Sequence, residues 1–252
     1  MIVLKTDEEI DMMRKAGIVA WRMLEEIEAS IKPGISTHDI DELVVELSRS
    51  YGAVAAPLNY RGFPRSVCTS VNEVVCHGIP SPKKILKDGD IINVDVTPIV
   101  NGFHGDTSRT FFVGNQVSDT ARRLTDCARR CLDLGIEQVR DGCRIGDIGE
   151  AIQVYAEAQG FSVVREFVGH GIGRTFHEDP QIPHYGKRGR GTRLSRGMVF
   201  TIEPMINEGR WETKLLADRW TAVTIDGKLS AQFEHTIAIR NDGTVQVLTG
   251  PE

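Results

Sequence analysis

The chain lacks a surplus of positive charge: 30 Lys and Arg stand against 35 Asp and Glu, a net charge of −5. Specific nucleic acid binding is thereby disfavoured, because contact with phosphates wants a clear cationic excess. No window approaches the ~20 apolar residues that a membrane helix requires. The stretch from Met1 to Lys15 is charged and has no signal-type apolar core. A cytoplasmic protein with no membrane contact is expected. Cysteine is sparse: Cys68, Cys76, Cys127, Cys131 and Cys143 form an odd set without a C-x-x-C pair. Neither a disulfide framework nor a zinc knuckle is indicated, and reduced thiols fit a cytosolic chain. One basic run, Lys187, Arg188, Arg190, Arg193 and Arg196, departs from the acidic balance and reads as a solvated Gly-rich loop.

What is present is an ordinary globular composition, 40% apolar and 26% charged over 252 residues, long enough to bury a core without staples. Thr6-x-x-Glu9 is a capping-box pattern, followed by Ile10, Met13, Trp21, Leu24 and Ile27 at mostly helical spacing until Lys32-Pro33-Gly34. A second helix is predicted from about Ser36, with Ile40, Leu43, Val44 and Leu47 as its apolar stripe and Tyr51-Gly52 at its end.

An offset of 108 positions gives an echo: Gly34, Asp39, Ile40, Glu42 and Gly52 match Gly142, Asp147, Ile148, Glu150 and Gly160. The same offset sets Asn93-Val94-Asp95 against Thr201-Ile202-Glu203, while Val75 to Ile79 resembles Val168 to Ile172 at an offset of 93. We read a single domain over residues 1–252 whose halves, about 1–113 and 114–252, are an internal duplication around a pseudo-twofold axis. Coincidence between two α+β stretches is the alternative.

Ile91 to Val96, Asn101-Gly102 and Phe103 to Val113 read as a hairpin, since Asn-Gly is a strong turn signal. With that turn, position 95 faces 108 and 97 faces 106, so Asp95 and Asp106 become diagonal neighbours on one face. Ile92, Val94 and Val96 then enter the core and pin the register. In the second half, Thr201 and Glu203 share a strand face. Ser230, Gln232, Glu234 and Thr236 alternate with Phe233 and Ile237 in a final strand. Singly, such acids read equally well as edge residues facing water. Together they form four strand-borne carboxylates with no Lys or Arg interleaved, which calls for cations among them. A pair of divalent metals is the economical answer. His170, in the Gly-rich His170-Gly171-Ile172-Gly173 turn, is the natural nitrogen ligand, and His77 and His177 are candidates to serve the substrate.

Cys76-His77-Gly78-Ile79-Pro80, Asp95 and Asp106 in their hairpin, His170 to Gly173, Thr201-Ile202-Glu203-Pro204-Met205 and Gln232-Phe233-Glu234-His235-Thr236 resemble, in order and spacing, the type I methionine aminopeptidases of peptidase family M24. The resemblance covers nearly the whole chain. It implies an α+β pita-bread fold, an antiparallel sheet backed by helices with the site at its centre. It implies Asp95, Asp106, His170, Glu203 and Glu234 as ligands of two divalent ions (Co, Mn, Fe or Zn), with Glu203 also as proton acceptor for the attacking water. By the same resemblance His177 contacts the region of the scissile carbonyl, and His77 assists the substrate amide. The methionine pocket maps onto Tyr60, Phe63, Cys68, His77, Phe176 and Trp220, for which core packing is the bland alternative. Pro57 stands where many relatives have Cys.

The resemblance further implies a monovalent cation near Asn72, Val74 and Ser230, a monomer, substrates that are the N-termini of nascent polypeptides with a small second residue, and a transient ribosome contact. Only 33 positions separate His170 from Glu203, which leaves no room for the helical insertion of type II enzymes. Two rivals remain: a proline-specific enzyme of the Xaa-Pro aminopeptidase and prolidase group, and a non-catalytic peptide-binding protein on the same fold.

Overall fold

Helix α1 (Asp7–Ser30) starts where Thr6 and Glu9 close a reciprocal capping box, with Asp7, Glu8 and Glu9 in the first turn complementing the helix dipole. Helix α2 (Thr37–Ser50) repeats the device with Ser36 and Asp39. The computed structural model describes residues 1–251, and in it α1 begins at the predicted Thr6 capping box and α2 directly after Ser36, where its start was expected. Two more helices follow in the second half of the chain, α3 (Asp119–Glu137) and α4 (Ile145–Ala158). Shifting α2 by 108 positions gives 145–158, the span of α4. Among the described residues no helix is long and apolar enough to cross a membrane.

Each helix pair covers a patch of antiparallel sheet. Met23, Leu24 and Ile27 of α1 and Ile40 and Val44 of α2 pack with Ile92, Val94 and Val96 of the strand Ile91–Val96. Leu124, Ala128 and Cys131 of α3 and Ile148 and Ile152 of α4 pack with Phe200, Ile202 and Ile237. Full burial of each such aliphatic side chain stabilises by about 1.5–3 kcal/mol. This burial also settles which strand face points away from the helices, and the acids lie there.

The hairpin forms as predicted around Asn101-Gly102, both at positive φ (52° and 79°). Ile91–Val96 pairs with Thr107–Phe112, and Asp95 faces Ser108. The ladder is then interrupted and resumes as Pro98–Val100 against Phe103–His104 in the same register. Thr97 and Asp106 stand in the gap, where the Thr97 hydroxyl donates to Asp106 Oδ1 at 2.7 Å.

The second half carries a matching interruption that corrects the prediction of one continuous final strand. Ser230–Gln232 pairs with Met205–Asn207, and His235–Ile239 pairs with Val199–Ile202, leaving Phe233-Glu234 opposite Glu203-Pro204 outside both ladders. Pro204 has no N–H to offer a ladder. The Glu234 N–H donates instead to Ser108 O at 3.0 Å, across to the first half of the chain. Asp106, Glu203 and Glu234 therefore sit at strand junctions, not within strands.

His170 lies in the strand Gly169–Gly171, not in a turn as its glycine-rich surroundings suggested. Its flanking glycines serve close strand approach. A Cβ at Gly171 would lie 2.1 Å from Asp179 O, and one at Gly169 would lie 2.4 Å from Thr201 O.

Candidate metal centre and active site

The junctions of the two halves open onto one cavity of about 750 Å³, lined by Asp95, Asp106, His170, Glu203 and Glu234. Asp106, His170 and Glu234 each offer a ligand atom within 4.8 Å of the others. His170 Nε2 lies 3.5 Å from Asp106 Oδ2 and 3.7 Å from Glu203 Oε1. Among the described residues no ion pair joins a Lys or Arg to Asp95, Asp106, Glu203 or Glu234, so His170 is the cation of the cluster.

Crowding these groups out of water has the expected electrostatic result. Burial, reinforced by the charges of Asp106 and Glu203, pushes the Asp95 and Glu234 carboxyls well above the usual range. Burial also pushes Glu203 up to about 7, with His170 pulling it down and Asp106 adding to the rise. Burial works against a charged His170, but the hydrogen bond to Asp106 and the Glu203 charge outweigh it and raise the imidazole to about 9. Burial and mutual repulsion thus make these groups hold their protons tightly. Asp95 Oδ1 is moreover buried with no hydrogen-bond partner. An oxygen-rich donor set with one nitrogen and an unsatisfied carboxylate oxygen fits divalent ions of the Mn, Fe, Co and Zn class.

Further side chains orient this set. The Thr201 hydroxyl accepts the His170 main-chain N–H at 3.0 Å and donates to Glu203 Oε1 at 2.7 Å. Gln232 Nε2 donates to Glu203 Oε2 at 3.3 Å. Sequence reasoning put Thr201 and Gln232 on the acidic strand faces without giving them a task. It missed Thr97, and it missed His184, which is fully buried and held to about 3 by burial.

The residues mapped to the methionine pocket, Tyr60, Phe63, Cys68, His77, Phe176 and Trp220, line the same cavity, as do His177 and Pro57. Phe63 and Trp220 meet edge to face at 5.2 Å, and the His77 ring stands 6.1 Å from Trp220. Burial lowers His77 to about 4, so it is neutral near pH 7. Phe176 and His177 reach over the centre: the His177 ring lies 4.2 Å from that of His170, and its Nδ1 is 2.9 Å from Tyr60 Oη. With Tyr60 donating, the His177 proton sits on Nε2. A buried ion pair between Lys5 and Glu178 ties the loop carrying these two rings to the start of the chain.

Buried carboxylates and a histidine that fit divalent ions, beside an aromatic recess, define a metal-dependent hydrolase. The sequence matches metallopeptidase family M24 over residues 11–241. It is 60% identical to methionine aminopeptidase A of Synechocystis over 248 residues, 98% of this chain and 97% of that one. It is 50% identical to the methionine aminopeptidase of Escherichia coli K12 over 249 residues, 98% of this chain and 94% of that one. The crystal structure of methionine aminopeptidase from Rickettsia prowazekii superposes with a TM-score of 0.96 at 49% identity, covering 99% of this chain and all of the other. The chain belongs to the M24 metallopeptidases, with their α+β pita-bread fold, and within them to the methionine aminopeptidases.

Proposed function

We propose that this chain removes the N-terminal methionine from proteins and peptides by hydrolysis, using two divalent ions held by Asp95, Asp106, His170, Glu203 and Glu234, and prefers a small second residue. The observation that carries this is the convergence of four carboxylates and one imidazole on a cavity that continues into an aromatic recess. Bound there, divalent ions would acidify a water at neutral pH and polarise the peptide carbonyl. Glu203 would be the acceptor for a proton of that water, its carboxylate held by the Thr201 hydroxyl and the Gln232 amide. His177 donates from Nε2 towards the scissile carbonyl region, with Tyr60 fixing its tautomer. Neutral His77 hydrogen-bonds the substrate amide. Phe63, Trp220, Tyr60, Phe176 and the Cys68 thiol enclose the methionine thioether, a flexible and polarisable group suited to aromatic faces.

The domain is single, and the matched spans of α2 and α4 support two pseudo-symmetric halves. A monovalent cation beside Asn72, Val74 and Ser230 is supported by the Ser230 hydroxyl and the Asn207 side-chain amide oxygen Oδ1, both buried without partners on residues that face each other across the sheet. Five buried free thiols support a reducing compartment, the cytoplasm. The test is calorimetric titration of stripped protein with Mn²⁺, together with release of methionine from Met-Ala-Ser and from Met-Trp-Ser. Two equivalents bound and faster cleavage of Met-Ala-Ser are expected. Absence of binding would favour a peptide-binding role, and neglect of both peptides with metal bound would favour a proline-specific enzyme.

A further inference from the structure

One buried histidine outside the ligand set makes a contact of an uncommon kind. His184 is 1% exposed and lies just past the strand Glu178–Ile182. Its Nε2 accepts the main-chain N–H of Glu203 at 3.0 Å, where a sheet would ordinarily offer a carbonyl. Glu203 needs such an acceptor because of where it stands: it follows the last ladder residue, Ile202, and precedes a proline. An imidazole nitrogen accepts only when it carries no proton, so the ring must be neutral with its proton on Nδ1. That Nδ1 is itself buried with no partner. The contact with the Glu203 amide is what requires a bare nitrogen at Nε2.

The Glu203 carboxylate is already held by Thr201 and Gln232, at 2.7 and 3.3 Å. With the backbone pinned as well, the residue has neither main-chain nor side-chain freedom at a junction where the ladder has lapsed. We propose that His184 is a positioning residue for the reaction, aiming the Glu203 carboxylate at the cluster by accepting its amide through an unprotonated Nε2. This role rests on the proposed reading of Glu203 as metal ligand and proton acceptor. His184 itself touches neither substrate nor metal.

Two variants separate acceptor from bulk. His184→Leu removes the acceptor, whereas His184→Gln keeps an oxygen as many bonds from Cβ as Nε2 is. In His184→Leu, kcat on Met-Ala-Ser should fall roughly 10–100-fold with KM nearly unchanged, and Mn²⁺ affinity by calorimetry should weaken by roughly 10–100-fold, the range typical of groups that orient a ligand. His184→Gln should recover most of both. Nitrogen NMR of the wild-type imidazoles at neutral pH should show His184 with its proton on Nδ1 and none on Nε2. Wild-type kcat and Mn²⁺ affinity in His184→Leu overturn the proposal, as does an equal loss in both variants, which assigns the ring to packing. Should His184→Leu fail to fold, a working His184→Gln together with a bare Nε2 in the wild type upholds it, and a protonated Nε2 overturns it. Glu203→Ala, measured alongside, separates the two levels. If it binds Mn²⁺ as the wild type does, the ligand assignment falls and His184 with it; if it loses metal while His184→Leu does not, only the role of His184 falls.

Discussion

Stripped of divalent ions, the folded protein should become less stable as the pH rises from 7 to 8.5. Asp95, Glu203, Glu234 and His170 all hold protons more tightly folded than unfolded, because burial and mutual repulsion penalise the carboxylates and the same negative charge retains the imidazolium. A group whose folded pKa is raised contributes stability that is complete below its unfolded pKa and is lost as the pH climbs through the folded one. Above pH 7 an unfolded histidine has released its proton, while folded His170, at about 9, keeps it. That group alone removes ~1.4 kcal/mol per pH unit, or ~2 kcal/mol between pH 7 and 8.5. Asp95 and Glu234 act in the same direction. His77 and His184 are lowered by burial to about 4 and about 3; their contribution is lost only as the pH falls below ~6.5, outside the window. At ~2–4 °C per kcal/mol for a chain of this size, the melting midpoint should drop by ~4–8 °C. Metal ions displace the protons from the ligands, so Mn²⁺-loaded protein should show no such fall. Thermal melts by fluorescence in EDTA and in Mn²⁺ across the window provide the assay. A flat midpoint in EDTA, or an equal fall with Mn²⁺ present, would refute the reasoning.

Other consequences can be checked one residue at a time. Glu203→Ala and Asp106→Ala should lose roughly 10²–10⁴-fold in kcat with unchanged circular dichroism, whereas His177→Ala should slow turnover yet still bind Mn²⁺ by calorimetry. Trp220→Ala opens the recess beside Phe63 and should lower kcat/KM for Met-Ala-Ser by roughly 10–200-fold, mostly through KM, as steady-state kinetics will register. Gly171→Ala would place a Cβ 2.1 Å from Asp179 O, a backbone atom that cannot simply swing away. The strand carrying His170 should shift at a cost of about 3 kcal/mol, visible in urea melts and in weakened Mn²⁺ binding.

Local chemistry made much of this legible in the sequence. Thr6 and Ser36 each begin a helix because their hydroxyls and the acids three residues on satisfy free N–H groups, a device written in adjacent residues. Asn101-Gly102 fixed the register that sets Asp95 against Ser108. The resemblance of five motifs to one family pointed to the activity. Less visible were features made by the meeting of distant segments. Alternation along Ser230 to Thr236 could not reveal that the ladder lapses at Glu234, because the cause lies in Pro204 on the facing strand. The glycines around His170 looked like turn residues, although they are demanded by the carbonyls of Thr201 and Asp179. His184 had no signal at all, since its partner is 19 residues away and the bond is made by a main-chain amide.

The most direct measurement of the central claim is methionine release from Met-Ala-Ser by metal-stripped protein, with and without added Mn²⁺ or Co²⁺, beside acetyl-Met-Ala-Ser. Cleavage restored by metal, and confined to the peptide with a free amine, is the predicted result. Folded protein that releases no methionine under any metal, or that cleaves the blocked peptide equally well, would contradict it.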